Sequence, residues 1–592
     1  MPVQSLNPVA EAARFFEKGD FASAERILAG QESPDALHLL GLVRLEQEQL
    51  EEAATLLTRS LAVRPGHPHV LLNLGKTLKR LKRDVEAGQA LDEAVRIQPD
   101  LAEAWYELAE LHHRGGAFAK AETSLCKVLA LAPGHRLAAL SLGIVIKDAG
   151  RPAEAETLLE QGFAGAGGAE MKAAFAYNIA QAQYAQGKKD AALESFARAA
   201  RLDPGSSNAD LSRADLLEEM LRMDDAAALL EAVLKREPGN VAAHDVYNEL
   251  LYRLGRDEDF LKSYDRAPHN VRLEIGKAGF LFKTGRTQEA HALYARIAAR
   301  EPGNLEAILG AATALNQLGR HDEAMRQLEG GPESALLYQQ RAATALQARD
   351  PQKAAAMAEK SLTLSPVDQT GLAVLGTAWR MMGDERDEML NGYDDLIRVF
   401  DLEPPQGFSS MADFNAELNE WLGRIHPKTR EPLRQSLRHG SQTRGHIFEQ
   451  GHDLAERLKT RVAEAVERYI AETRPDARHP FRGRCGAGFR FAGSWSSRLI
   501  DCGFHINHIH PGGWISSCYY VGVPDAVKDE KAKEGWIKFG EPSFDVGLGL
   551  RRAIQPVPGR LVLFPSYMWH GTIPFHSDAA RTTIAFDAVP RD

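Results

Sequence analysis

The 592 residues carry 71 Lys and Arg against 81 Asp and Glu, a formal net charge of -10, which argues against a dedicated nucleic-acid binder relying on phosphate neutralisation. The length exceeds one ordinary core and implies several domains, or one domain joined to a repeat array. Cys126, Cys485, Cys502 and Cys518 form no CxxC pair, which suits a reducing compartment and argues against a structural zinc finger. The opening MPVQSLNPVAEAARFFEKGDF has no basic segment followed by an apolar core, and no apolar run approaches about 18 residues. The expectation is a soluble cytoplasmic protein with no membrane partner.

From the start of the chain the strongest signal is a repeat. Pro65, Pro99 and Pro133 are spaced by 34 residues, as are Pro204 and Pro238, and each follows an amphipathic helix where a helix must stop. Ala53, Ala87, Ala121, Ala192 and Ala226 recur in phase, with Gly41, Gly75, Ala109, Ala180 and Ala214 twelve residues earlier. Small residues at fixed places mark close approach of two helices. The unit AWYELAELHHRGGAFAKAETSLCKVLALAP, with Trp105, Leu108, Ala109, Ala121 and Pro133, resembles the tetratricopeptide repeat. The resemblance extends over about residues 10–385, with weaker units near 150–172, 240–270 and 330–366. Stacked helix pairs of this kind form a superhelix with a concave surface. It implies a protein or peptide partner, or a spacer.

The repeat phase is lost after Glu385, and DLEPPQGFSS has the punctuation of a junction. The expected domains are therefore 1–385 and 386–592, the second with a helical lead-in over 386–480 and a β core over 481–592. Helical spacing is clear from Met411 to Leu422 and from His452 to Glu472. Beyond Pro480, the runs FRFAGSWSSRLI, WISSCYYVGV, GWIKFGEP, GRLVLFPS and RTTIAFDAV predict short strands of a barrel or sandwich. The charged stretch from Asp525 to Gly535 reads as a solvated hairpin loop, or a lid over a site.

The chemistry concentrates in HINHIHPGGW, from His505 to Trp514. If the stretch is extended, His508 and His510 share one face while His505 and Asn507 share the other. His508 and His510 then precede a turn and can converge on one ion, with His570 from a later strand end as a third donor. Two other arrangements stay open: His508 and His570 alone, or His505 with Asn507 as the pair.

HxH, the paired Tyr519 and Tyr520, GRLVLFPSYMWHG and Arg581 in RTTIAFD together resemble the 2-oxoglutarate and Fe(II)-dependent oxygenases fused to tetratricopeptide repeats. The resemblance covers about residues 386–592. It implies a double-stranded β-helix, or jelly roll, that uses Fe(II) and 2-oxoglutarate, with ascorbate as a reductant, to hydroxylate a C–H bond. By that resemblance His508 and His570 match the two histidine ligands, His510 stands where the superfamily usually has a carboxylate, and Arg581 matches the clamp for the far carboxylate of 2-oxoglutarate. HxH in place of HxD removes one negative charge from the ligand set.

Ser517, Gln442 and Thr443 read equally as pocket donors or backbone caps; Tyr519, Tyr520 and Trp569 read as packing. Cys502 and Cys518 read as small core residues, and Asp587 as a strand-end carboxylate. The leading functional expectation is a dioxygenase acting on a protein or peptide side chain delivered by the repeats. A scaffold with a degenerate metal site, or an oxygenase acting on a small molecule or glycan, are the alternatives.

Overall fold

The computed structural model describes residues 7–486 and 488–591. Helices fill the first two thirds of the chain and divide between two compact units that meet at Ser206 and Ser207. In the first unit, the pair Ala102–Arg114 and Phe118–Leu131 is the quoted repeat, and the in-phase Ala53, Ala87, Ala121 and Ala192 are all completely buried. Glycine at 75 has a steric cause: a Cβ there would lie 2.6 Å from Leu91 Cγ. Leu91 packs too closely on residue 75 for a Cβ there, while other pairs hold alanine at the same position.

The second unit continues the helix pairs and adds the β-domain. One of its pairs is incomplete: after Val241–Arg253 the partner shrinks to Lys262–Asp265, entered through Leu261 at a left-handed φ of 68°. The gap receives a segment from far downstream. Leu433 donates its backbone N–H to Glu249 (2.8 Å), Arg430 forks onto Asp257 (2.6 and 2.9 Å), and Arg444 pairs with Glu218 (3.0 Å). Glu218 in turn pairs with the buried Arg253.

The β-domain is two antiparallel sheets, as the jelly-roll expectation requires. Six strands, β1 Arg398–Asp401, β2 Leu437–Gln442, β3 Phe489–His505, β4 Ile515–Gly522, β7 Arg560–Pro565 and β9 Arg581–Pro590, lie in the order β1-β7-β4-β9-β3-β2. The short β5 Ile537–Phe539, β6 Arg552–Ile554 and β8 His570–Thr572 form the other, in the order β6-β5-β8. Helices Met411–Ile425 and Asp453–Glu472 pack on β4 and β7. One hydrophobic core runs from Ala342, Leu375 and Trp379 of the last repeats through Phe414 and Tyr469 to Tyr519, Leu563 and Phe586. Burial of that continuous core fixes the β-domain against the last helix pairs.

Two expectations need correction here. The lead-in is not purely helical, because β1 and β2 fall within it and complete the edges of the large sheet. The stretch from Asp525 to Gly535 is a mostly exposed loop as expected, opening on the 3-10 turn Asp525–Lys528, but it is not a hairpin, because it joins β4 of one sheet to β5 of the other.

Candidate metal centre

β3 ends at His505, and the chain then leaves the ladder, touching β8 only through the bridge between His508 and His570. Reciprocal backbone bonds hold that bridge: His508 N donates to His570 O (2.8 Å) and His570 N to His508 O (3.0 Å). Gly571 is obligatory beside it, since a Cβ would fall 2.4 Å from Asn507 Oδ1 and 2.9 Å from His505 O. The result brings His508, His510 and His570 together, with one ring nitrogen of each within 4.8 Å of the others.

The outer nitrogens decide what the inner ones carry. His508 Nδ1 donates to Ile506 O (2.7 Å), His570 Nδ1 to Met568 O (2.9 Å) and His510 Nδ1 to the Asp587 carboxylate (2.6 Å). A carbonyl or carboxylate can only accept, so each Nδ1 bears the proton and each Nε2 of a neutral ring presents a lone pair. Burial first, then the adjacent His510, pushes His508 down to about 3. Burial, then His508 and His510, holds His570 well below the ordinary histidine range. His508 Nε2 and His510 Nε2 nevertheless face each other at 3.2 Å. Two lone pairs at that distance repel, and a proton or a metal ion between them removes the repulsion. Metal–nitrogen bonds of about 2.1 Å at a right angle put the two nitrogens about 3 Å apart, so the donor set fits a divalent ion.

None of the three converging groups is a carboxylate. Asp587 stands one ring behind, on His510, and is itself fixed by Ser516 Oγ (2.7 Å), which also bonds Ser566 Oγ (2.8 Å). Gly513 leaves room for this cluster, as a Cβ there would meet Ser566 Oγ at 2.4 Å. Asp587 is therefore a buttress of the site and not merely a strand-end carboxylate. Strand period could have found it, because Arg581, Thr583, Ala585 and Asp587 are alternate residues of β9 and all line the same cavity.

That cavity, of about 440 Å³, lies between the two sheets and is also lined by Trp495, Ser497, Cys518, Ile537 and His570. Arg581 is only 1% exposed, yet no carboxylate pairs with it among the described residues. Its Nε donates to Gly535 O (2.9 Å) and its guanidinium lies 5.0 Å over the Tyr520 ring. The Ser497 hydroxyl is buried without a hydrogen-bond partner. A buried cation with no carboxylate partner beside an unsatisfied hydroxyl fits a dianion such as 2-oxoglutarate.

His505 departs from its expected place on an opposite face. It lines the same cavity, and Ser436 Oγ bridges its Nδ1 (3.0 Å) and His508 Nε2 (3.3 Å). Asn507 turns away to Pro542 O (3.1 Å) and does not pair with His505 around an ion. Gln442 and Ser517 line the cavity, but Ser517 Oγ is engaged by both backbone groups of Phe586 and Thr443 caps Ser496. Trp569 donates to Thr377 Oγ1 (3.0 Å) and Tyr519 to Asn415 Oδ1 (2.7 Å), as packing residues do. Cys518 is buried as expected; Cys502 is not, standing partly exposed beside His576. Sequence reasoning also missed Lys283, Arg434, Ser436 and Arg438, which line the mouth of the cavity.

Tandem helix pairs joined to a two-sheet domain define a repeat protein carrying a jelly roll. The family described as "Putative 2OG-Fe(II) oxygenase" matches residues 493–587. Tetratricopeptide-repeat families match 44–111 and 281–344, and 98–136, 140–207 and 211–272. The chain is a tetratricopeptide-repeat protein fused to a domain of that oxygenase family. Among curated relatives, Protein O-mannosyl-transferase TMTC3 of Homo sapiens is 28% identical over 118 residues, 19% of this chain and 13% of that protein. Cellulose synthase operon protein C of Pseudomonas fluorescens (strain SBW25) is 26% identical over 252 residues, 39% of this chain and 20% of that protein. The chain thus spans a fifth or less of these relatives. The C-terminal part of a tetratricopeptide-repeat protein from Cytophaga hutchinsonii is 15% identical, covering 40% of this chain and 98% of that one, with a TM-score of 0.34. No helix among the described residues is long and apolar enough to cross a membrane.

Proposed function

We propose that the chain is an Fe(II)- and 2-oxoglutarate-dependent dioxygenase that hydroxylates a side chain of a protein or peptide held by the repeats. The observation that carries the reading is the convergence of one ring nitrogen from each of three histidines within 4.8 Å, two of them 3.2 Å apart and each presenting a lone pair when its ring is neutral. His508, His510 and His570 would hold the iron, and Arg581 would clasp the far carboxylate of 2-oxoglutarate through its planar fork. Bound there, iron and cosubstrate supply dioxygen activation coupled to oxidative decarboxylation. The chain's own share is positioning and charge. Asp587 fixes the His510 tautomer and returns, one ring removed, the negative charge that the HxH set lacks. The two sheets enclose the far end of the cavity, which favours the ion pair at Arg581 by keeping water from it.

The mouth is walled partly by Lys283 of a repeat helix, which supports delivery of substrate by the array. The missing carboxylate in the ligand set favours one rival reading, a metal-binding scaffold without turnover. Purified protein with Fe(II), ascorbate and labelled 2-oxoglutarate separates them. Succinate formation that disappears in His570→Ala is expected; metal binding without succinate under any condition supports the scaffold.

A further inference from the structure

We propose that the mouth of the histidine cavity is a cationic clamp for a carboxylate-bearing segment of the peptide substrate, an inference that rests on the oxygenase reading above. Three cations stand there, Lys283 at the end of the helix Val271–Lys283, and Arg434 and Arg438 on either side of Ser436. Their partners do not balance them. Lys283 makes no hydrogen bond or ion pair among the described residues, and Arg438 donates only to the carbonyls of Gln435 (2.9 Å) and Leu437 (2.7 Å). Arg434 alone meets a carboxylate, Asp245 at 3.3 Å, while its guanidinium lies 4.9 Å over Phe280. The other carboxylate near the group, Glu249, accepts at Oε1 from the Leu433 backbone while its Oε2 has no hydrogen-bond partner among the described residues, so three cations face two carboxylates.

The ammonium of Lys283 is held below the ordinary lysine range by burial, then by Arg438 and Arg434. Lys283 and Arg434 are exposed and Arg438 is half-buried, and like charges gathered at one rim are relieved by a bound anion. Two features separate this anion from the cosubstrate. Arg581, the match for 2-oxoglutarate, lies on β9, whereas the clamp is built from a repeat helix, the segment leading into β2 and the start of β2 itself. Ser436, between the two arginines, touches His508 Nε2 at 3.3 Å, so a carboxylate seated on the clamp holds its neighbouring residues beside the candidate metal position. Trp495, Ile506 and Ile509 supply an apolar wall for the stem of the side chain that enters. Because repeat helix and β-domain build the clamp jointly, an extended peptide that engages it lies against both. A glutamate- or aspartate-rich peptide meets these conditions.

The test uses the full-length protein loaded with Mn(II) and 2-oxoglutarate, and fluorescein-labelled ten-residue peptides that differ only in carrying glutamate, glutamine or phosphoserine. The glutamate peptide should bind at least tenfold more tightly than the glutamine peptide, with affinity falling as salt rises. That preference should vanish in Lys283→Gln/Arg434→Gln/Arg438→Gln and return in Lys283→Arg/Arg434→Lys/Arg438→Lys. Equal binding of the glutamine peptide, or an undiminished preference in the neutralised variant, overturns the clamp. Tighter binding of phosphoserine than glutamate overturns its assignment to carboxylates. Mn(II) binding, measured calorimetrically on the same samples, keeps the two readings apart. Mn(II) bound without a glutamate preference sinks the clamp alone, and failure of the unmodified protein to bind Mn(II) sinks the oxygenase reading with it.

Discussion

Asp587→Asn isolates the charge behind the metal centre. Asparagine is nearly isosteric and its carbonyl can still accept from His510 Nδ1, now 2.6 Å from the carboxylate, so the tautomer is preserved and only the charge is lost. An ion on His510 Nε2 stands on the order of 6 Å from that carboxylate, taking about 2.1 Å for the metal–nitrogen bond. At an effective dielectric of about 20, a unit charge at that distance is worth about 2.8 kcal/mol, and about twice that for a divalent ion before solvent and cosubstrate screen it. Buttressing residues of metal-bound histidines typically change affinity by about 10–100-fold, or about 1.4–2.7 kcal/mol. The lower range applies because Ser516 also stabilises the carboxylate. Anaerobic calorimetric titration with Fe(II) should therefore give an affinity about 10–100-fold weaker in Asp587→Asn, with one site still present. An affinity within twofold of the unmodified protein would refute the charge-return argument.

Arg581→Gln should weaken 2-oxoglutarate binding to the metal-loaded protein by at least about 100-fold, since charge-assisted hydrogen bonds contribute about 1.5–3 kcal/mol each; Arg581→Lys should restore little because the fork is lost, and calorimetry reads both. His426 is buried between Ser441 Oγ (2.8 Å) and Ser496 Oγ (3.0 Å), and burial then Arg498 lowers it to about 4. Its unfolded form therefore binds more protons as pH falls below about 6.5, so stability is lost from there down to about pH 4. The loss between pH 7.5 and 5 is about 2 kcal/mol, and melting curves at the two pH values should show a smaller difference in His426→Gln. Glu218→Ala strands the buried Arg253 and leaves Arg444 only its Asp215 partner (2.8 Å), costing about 3–5 kcal/mol; hydrogen exchange should quicken across residues 430–445, and unchanged exchange there contradicts the docking role given to this network.

Much of the fold was legible because packing repeats itself. Proline and alanine in a 34-residue phase expose the helix pairs, since every pair meets its neighbour at the same close place. The long strands β3, β4, β7 and β9 were legible from dense apolar and β-branched runs. RVFD and LRHGSQ were not, being short or polar, and the second carries His439 at a positive φ of 53° with a register shift between Arg438 and Gly440. The incomplete repeat near 240–270 looked merely weak, although it is where the segment from Arg430 to Arg444 docks. At the site, the convergence of His508, His510 and His570 follows the spacing and the turn. The place of His505 does not, because alternation assumes a strand that in fact ends at that residue. Arg434 and Arg438 reach the cavity through contacts distant in sequence, which no local pattern carries.

The central claim, that His508, His510 and His570 together hold one divalent iron, is tested most directly by anaerobic Fe(II) titration of the unmodified protein and of His508→Ala, His510→Ala and His570→Ala. The account predicts one equivalent bound by the unmodified protein and at least about 100-fold weaker binding in each variant. Undiminished Fe(II) affinity in His510→Ala would contradict the three-histidine site.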